Sequence, residues 1–409
     1  MIKQMTSIVL ALALAACAAR AGESLSPAAE LPTHENEDSY RPCAAFGEDV
    51  YLVAWQSDRR KKGDLVACRV DKSGKVLDAK PFVLCEAEMD QERPRVAFGG
   101  GVFLVVWQDI RNKCDYDTYA ARVDADGKVL DKDGFLVSGG KQNQCNPRVA
   151  FDGISFVVVW EDFRSDRYEV RGARVSPGGK VLDANGITIA SHKWMHRLNP
   201  DVASDGKGRS LVLWLGHLVH GKGDMSGGVF LKGGKPDGEF KITGSRKPQT
   251  GNMPGNRANF IAVTAGPKGY CAAWKNGPGQ RGGSSNKANA TVFDPSGKQG
   301  EMIFAPASQY IYNPDVVWDG SAYVAAWRVQ DGYERSRRRH GNYDHVRAGR
   351  ISSDGKPLGE GLAVAGEYKA PAACAAVASD GKSTTLIAYE QHPKTGDVPI
   401  KIGFRLLKK

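Results

Sequence analysis

Tandem copies of one segment run through the chain, and their period limits what it can fold into. Aligned on a tryptophan, the copies carry Trp55, Trp107, Trp160, Trp214, Trp274 and Trp327, and a degraded seventh carries Tyr389 there. The intervals are 52, 53, 54, 60, 53 and 62 residues. Copies two and three are the clearest, reading PRVAFGGGVFLVVWQDIR and PRVAFDGISFVVVWEDFR. Each copy holds four short β-type runs, termed strands A to D: P-x-V-A-F, F-L-V-V-W, A-x-R-V and an outer G-x-x-I. Valine, isoleucine, phenylalanine and tryptophan dominate them, and Asp-Gly pairs such as Asp126-Gly127 and Asp152-Gly153 mark hairpin turns. Helical periodicity is absent beyond the N-terminal segment.

Four antiparallel strands at a period in the fifties cannot bury both faces of their sheet alone, so the copies must stack. The expected fold is all-β, a seven-bladed β-propeller of four-stranded antiparallel blades. Copy seven stops at Phe404-Arg405-Leu406-Leu407, a strand C, and lacks its strand D. Gly22-Glu23-Ser24-Leu25-Ser26 resembles Gly359-Glu360-Gly361-Leu362-Ala363, the approach to strand D of copy six. An N-terminal strand is therefore expected to complete the last blade and remove the open edge. Residues 22–409 form one domain in this reading. Its 48 glycines against 20 prolines, without a G-X-Y period, fit many tight turns.

The chain resembles secreted bacterial repeat proteins carrying P-x-V-A-x-x-G…L-V-V-W-x-D-x-R…A-x-R-V…G-x-V-L-D. The resemblance covers essentially all of the mature chain, and what it implies is the fold. It brings no catalytic residues with it, so function has to be read from the site.

Lys3, the apolar run Ile8 to Leu14 and the small residues after it read as a signal peptide over 1–16. Leu14-Ala15-Ala16-Cys17 resembles a lipobox, with Cys17 as the lipidated residue; Ala19-Arg20-Ala21 offers cleavage after Ala21 instead. No apolar run reaches the roughly 18–20 residues that a membrane-spanning helix needs. The expectation is an exported monomer that touches a membrane only through a lipid anchor, or a periplasmic or secreted one after the alternative cleavage. Seven cysteines remain after Cys17, an odd number with no zinc-like spacing, so at least one thiol is free or intermolecular.

Propeller strands alternate in direction, so D–A and B–C connections share one face, here called the top, while A–B and C–D turns share the bottom. The bottom turns are short and monotonous, as in Asp126-Gly127-Lys128, Gly178-Gly179-Lys180 and Asp354-Gly355-Lys356. The D-x-D-G string at Asp124 to Gly127 reads as a hairpin turn; calcium is the alternative, but the rest of a calcium loop is missing. Long B–C loops are expected at Leu215–Gly228, Lys275–Lys287 and Arg328–His345, and long loops on a rigid ring are where binding resides. All eight histidines fall on the top face. His192 and His196 are placed in the D–A loop before blade four, and His217 and His220 in its B–C loop. With Asp224 they form a candidate zinc site, although no cofactor is the primary expectation.

The W-x-D-x-R element recurs at Trp107-Asp109-Arg111 and Trp160-Asp162-Arg164, with Asp58-Arg59 displaced by one residue. Recurrence favours a structural role, since a catalytic site is rarely copied into adjacent blades. The loop containing Arg335, Arg337, Arg338 and Arg339 is flanked by Tyr333 and Tyr343. Together with Trp194 these are the candidate ligand-binding residues. Guanidinium forks suit sulfate and carboxylate, aromatics stack on sugar rings, and the formal net charge of +10 favours an anionic partner. Export and the lack of a nucleic-acid motif argue against nucleic acid. The expected function is non-catalytic binding of an anionic polysaccharide or a protein partner through top-face loops. The alternative is a polysaccharide lyase or glycoside hydrolase using His196, His217, Tyr333 and Arg335. Arg95, Arg148, Asp201, Asn259 and Asp315 are further expected to line the mouth of the central channel.

Overall fold

The computed structural model describes residues 23–59, 62–218, 227–242, 261–275, 288–301, 303–304, 310–330, 344–366, 371–393 and 398–409. Their regular elements are all strands, in seven antiparallel sheets. Blades one to six take their four strands in chain order, over 39–85, 91–138, 144–190, 195–241, 261–304 and 310–365. Blade seven supplies Ala372–Ser379, Thr384–Gln391 and Lys401–Lys408 as strands A to C. The A strands touch in ring order, and that of blade seven meets Ser39–Gly47 of blade one. The fold is a closed seven-bladed β-propeller.

The missing outer strand of blade seven comes from the N-terminus, as expected. Ser24 and Leu25 pair with Lys408 and Leu407, and Ala29 and Glu30 pair with Phe404 and Gly403. Pro27 has no N–H to offer, and the ladder breaks there. Ser26 spans the break, its N–H donating to Leu406 O at 2.8 Å and its Oγ accepting the Leu406 N–H at 2.9 Å. Glu23 forms an ion pair with Arg350 of blade six, so the closing segment is fastened to two blades.

Strand B is apolar on both faces because both face a neighbouring blade. Val102–Asp109 and Phe156–Asp162 are buried almost throughout. Each B-strand aromatic packs on the preceding blade: Trp107 among Leu52, Leu65 and Ala67; Trp160 among Leu104, Val106 and Ala120; Tyr389 among Val324, Ala326 and Ala348. Truncating one such buried tryptophan costs roughly 3–5 kcal/mol. The repeated tryptophan is thus the contact that joins one blade to the last.

Arginines of the A-x-R-V run brace the bottom. Arg69, Arg122 and Arg174 form ion pairs with Asp78, Asp131 and Asp183, the Asp of each V-L-D turn. Arg69 Nη1 also donates to Ala125 O of the next blade at 2.9 Å, and Arg122 Nη1 to Pro177 O at 3.2 Å. The string at Asp124 is a plain turn, with Gly127 N–H donating to Asp124 O and Lys128 N–H to Asp124 Oδ1. All seven described cysteines are free thiols, five of them buried.

Candidate functional site at the channel mouth

A cavity of about 500 Å³ runs along the ring axis and is lined by the A strands of all seven blades. Its top end is shaped by a bulge that recurs from blade to blade. Arg41, Arg93, Asn146, Asn199, Asn313 and Cys374 all have positive φ, between 44° and 56°. Five of them precede a proline, and the strand pairing slips at each one. Left-handed backbone at a non-glycine residue is unfavourable and needs a compensating contact. The preceding blade provides it. The residue after the B-strand aromatic accepts the bulge N–H: Glu390 for Arg41 at 2.8 Å, Gln108 for Asn146 at 3.1 Å, Glu161 for Asn199 at 2.6 Å. Bulges re-aim side chains, and here they turn Arg41 and Arg93 toward the channel.

Two residues beyond each bulge, the position opposite the residue before the B-strand aromatic gives one side chain per blade. In ring order these are Cys43, Arg95, Arg148, Asp201, Ala262, Asp315 and Ala376. Arg95, Arg148, Asp201 and Asp315 line the channel as expected. In blade five the register puts Ala262 in this position, and Asn259, the residue expected at the mouth there, lies outside the described residues. That copy lacks the X-Pro signature, so its register was undefined in the sequence.

Charge is unevenly distributed round the mouth. Arg41, Arg93, Arg95 and Arg148 come from blades one to three, while Asp201 and Asp315 come from blades four and six. Arg148 is 7% exposed and lies 3.6 Å from Asp201. Burial first, and then the charge of Arg95, disfavour its ionised form. Burial and neighbouring Arg41 act likewise on Arg93. Asp201 is pushed up to about 6 by burial, against the pull of Arg148; burial raises Asp315 and Glu161 too. Asp201 Oδ2 accepts Val263 N–H at 2.7 Å and Asp315 Oδ2 accepts Val377 N–H at 2.9 Å, so each carboxylate also clips the following blade.

On the rim, Trp194 is 61% exposed, the most open of the described large aromatics. Its backbone N–H donates to His192 Nδ1 at 3.1 Å, and Lys193 Nζ stands 5.0 Å from its ring centre. Arg167 Nη1 donates to Lys193 O at 2.8 Å, tying this loop to blade three. His196 is not a loop residue as expected. It belongs to strand Met195–Ser204, because the alternation at Met195 and Arg197 continues the ladder outward. Its Nδ1 accepts Tyr168 N–H at 3.0 Å, and Phe163 and Tyr168 pack on its ring. His217 is also in a strand, Arg209–Leu218, and its backbone pairs with His196. The B–C loops are accordingly shorter than expected: strands continue to Leu218, Lys275 and Gln330 and resume at Gly227, Ala288 and Asp344.

His220, Asp224, Tyr333, Arg335, Arg337, Arg338, Arg339, Tyr343 and Cys17 lie outside the described residues. Among the described residues no group of three or more His, Cys, Asp and Glu side chains could hold a metal ion. The W-x-D-x-R element is structural. Asp109 Oδ2 accepts Trp107 Nε1–H at 2.9 Å and forms an ion pair with Arg111, whose Nη2 reaches Asp133 O at 2.9 Å and Cys85 of blade one. Asp162 does the same for Trp160 and Arg164, and Arg164 reaches Ser138 of blade two. Arg41, Arg93, Glu161 and Glu390 were not expected at the mouth. The signal for the arginines was the X-Pro pair itself, repeated at the head of each strand A.

No protein-family model and no curated protein matches the chain. Solved structures do. A protein of unknown function from Dyadobacter fermentans is similar over 95% of this chain and 99% of its own, at 9% identity and a TM-score of 0.53. A prolyl endopeptidase is similar over 86% of this chain, at 15% identity and a TM-score of 0.50, and this chain spans 45% of its length. The phage phi92 endosialidase is similar over 95% of this chain and 69% of its own, at 7% identity and a TM-score of 0.50. At these identities the likeness is one of fold.

Proposed function

We propose that this is a non-catalytic binding propeller whose top face takes an anionic glycan. The observation that carries the reading is the concentration of Arg41, Arg93, Arg95 and Arg148 on one side of the channel mouth. Such a cluster attracts a polyanion at long range and pairs with its carboxylates or sulfates at contact. Trp194, exposed and held by its loop, supplies a stacking surface of the kind sugar rings use. The basic loop at Arg337, Arg338 and Arg339 adds charge in the same sense. In this reading the protein is exported and tethered through Cys17, with the binding face pointing away from the membrane.

Affinity electrophoresis in gels containing polygalacturonate or heparin tests the reading. Arg93→Ala with Arg95→Ala is expected to abolish most of the retardation at low salt, with Trp194→Ala reducing it further. Retardation that survives both the channel pair and the triple substitution at Arg337, Arg338 and Arg339 would refute this binding face. No retardation of the unsubstituted chain at low salt would refute a glycan ligand and leave a protein partner. Loss of metabolic lipid labelling on Cys17→Ser checks the tether.

A further inference from the structure

The seven equivalent positions round the channel carry two arginines on adjacent blades, Arg95 and Arg148, and two aspartates beyond them, Asp201 and Asp315. Arg93 stands two residues before Arg95 on the same strand. Neighbouring guanidiniums repel, and burying them without a counter-charge is unfavourable. Asp201 serves one side of Arg148 at 3.6 Å. Among the described residues neither Arg93 nor Arg95 has a carboxylate within 4.0 Å, and the hydrogen bond Arg95 makes is to the carbonyl of Pro94. Glu92 pairs with Arg41, Glu92 and Glu161 act on Arg93, and Asp201 and Glu161 act on Arg148. Arg95 is acted on by Asp315 without an ion-pair contact, so the place with least counter-charge on this side is beside Arg95, toward Arg148.

The opposite side offers acceptors. Asp201 and Asp315 each accept a backbone N–H of the next blade on Oδ2. Asp201 Oδ1 faces Arg148 at 3.6 Å and Asp315 Oδ1 accepts Val316 N–H at 3.0 Å, and with about four lone-pair sites each carboxylate keeps room for a further donor. Sugar hydroxyls are the matching donors. A cavity of about 500 Å³ falls within the size range of small-molecule sites, and its walls are strands, not loops. From this we infer that the channel mouth is an end-on seat for a single sugar-acid unit, its carboxylate between Arg95 and Arg148 and its hydroxyls on Asp201 and Asp315. The ligand then enters the channel by its end and does not lie across the top face. The inference rests on the anionic-glycan reading for its ligand class, and it applies equally to a free sugar acid and to the end of a chain.

Calorimetry on the full mature chain, with D-galacturonate and D-glucuronate as probes, separates the possibilities. A free uronate is expected to bind, with its methyl ester and neutral galactose weaker by roughly 10- to 100-fold, the size of a lost charged hydrogen bond. Arg95→Gln is expected to weaken the uronate by a similar factor without lowering the urea midpoint, since it removes a repelling charge beside Arg148. Arg95→Lys, which keeps the charge and loses the fork, is expected to fall between. A short oligogalacturonate that binds no tighter than the monomer indicates a free sugar acid; one that binds tighter indicates a chain end. Sulfate or phosphate displacing the uronate at equal concentration overturns the sugar-acid class. Polygalacturonate binding that the monomer does not compete, or monomer affinity unchanged by Arg95→Gln, overturns the seat and leaves surface binding standing. Binding of neither monomer nor polymer overturns both readings.

Discussion

Blades one to three and blades four to six are built on one strand plan and differ in what their side chains do. In the first group the repeat is close to intact, and its recurring residues hold the ring together. The pairs Arg69–Asp78, Arg122–Asp131 and Arg174–Asp183 recur at the same spacing of nine residues. In the second group Phe230 and Val292 stand in that place in blades four and five and carry no charge, while Arg350 turns to Asp319 and Glu23. The tryptophan staple is lost as well: Trp214 has no aspartate two residues on, and the Arg197 guanidinium lies 5.6 Å from its ring centre. Repeated residues are therefore braces. The channel position behaves differently, since the same site in the plan tolerates Cys43, Arg95, Arg148, Asp201, Ala262, Asp315 and Ala376. A position that the fold leaves free, yet which carries charge sorted by side, is where ligand selection is expected. The seven blades act as internal controls for one another.

The sharpest way to break this comparison is at the staple. Asp109 is fully buried and satisfies the Trp107 indole, the Arg111 backbone and the Arg111 guanidinium. Asp109→Ala strips a buried ion pair of one member and is expected to cost roughly 3–5 kcal/mol. In blade one the aspartate is shifted to Asp58, which is exposed, and the Trp55 indole N–H has no partner among the described residues. Asp58→Ala is expected to cost under about 0.5 kcal/mol. Urea unfolding of the two variants checks both, and equal losses would remove the distinction between intact and displaced staples.

Next in size is a pH effect at the channel. Asp201, its pKa pushed up to about 6 in the folded chain, stands above an unfolded value of about 3.9. The folded state therefore holds the proton more tightly, and between those values stability falls as pH rises. The contribution is greatest below pH ~4 and gone above ~6, and the gap between the folded and unfolded values sets an upper bound of about 3 kcal/mol. Wild-type stability minus that of Asp201→Asn is expected to decline across this window and to be flat outside it. Asparagine retains an oxygen for the Val263 N–H, so the clip to blade five is preserved. Parallel pH profiles for the two proteins would show that the carboxyl ionises freely.

The fold was fully legible because a propeller writes its plan seven times: the tryptophan spacing, the Asp-Gly turns and the mismatch between missing and surplus strands agreed. The staple was legible for the same reason. The mouth was only half so. Arg95 and Arg148 could be placed by counting from the proline, but Arg41 and Arg93 enter the channel through a left-handed bulge, and bulges depend on a side chain 38 to 349 residues away in sequence accepting one N–H. His196 was misplaced because strand ends follow ladder pairing with His217, which no local pattern encodes. Local chemistry is readable where it repeats; contacts between distant copies are not.

The smallest effect concerns the bottom of the channel, where the same contrast takes a steric form. At the end of strand A, blades one and two have Gly47 and Gly99, whereas blades three, six and seven have Asp152, Asp319 and Asp380, whose carboxylates cap the following turn. The glycines make room for the next blade. A Cβ on Gly47 would lie 2.0 Å from the Phe98 ring, and one on Gly99 equally close to Phe151. Gly99→Ala therefore overpacks the interface between blades two and three, at a cost of about 2 kcal/mol. Phe151→Leu should relieve that clash, so the double variant is expected to be less destabilised than the sum of the single ones. Gly101 supplies the control: no atom lies within 4 Å of its Cβ position, and at φ 81° alanine there carries only the backbone penalty, about 1 kcal/mol. Denaturant midpoints for the four variants decide the matter. Strict additivity of Gly99→Ala and Phe151→Leu would mean that the ring shifts as a body to admit the methyl group, and that the blades are less tightly seated on the arginine side than their braces imply.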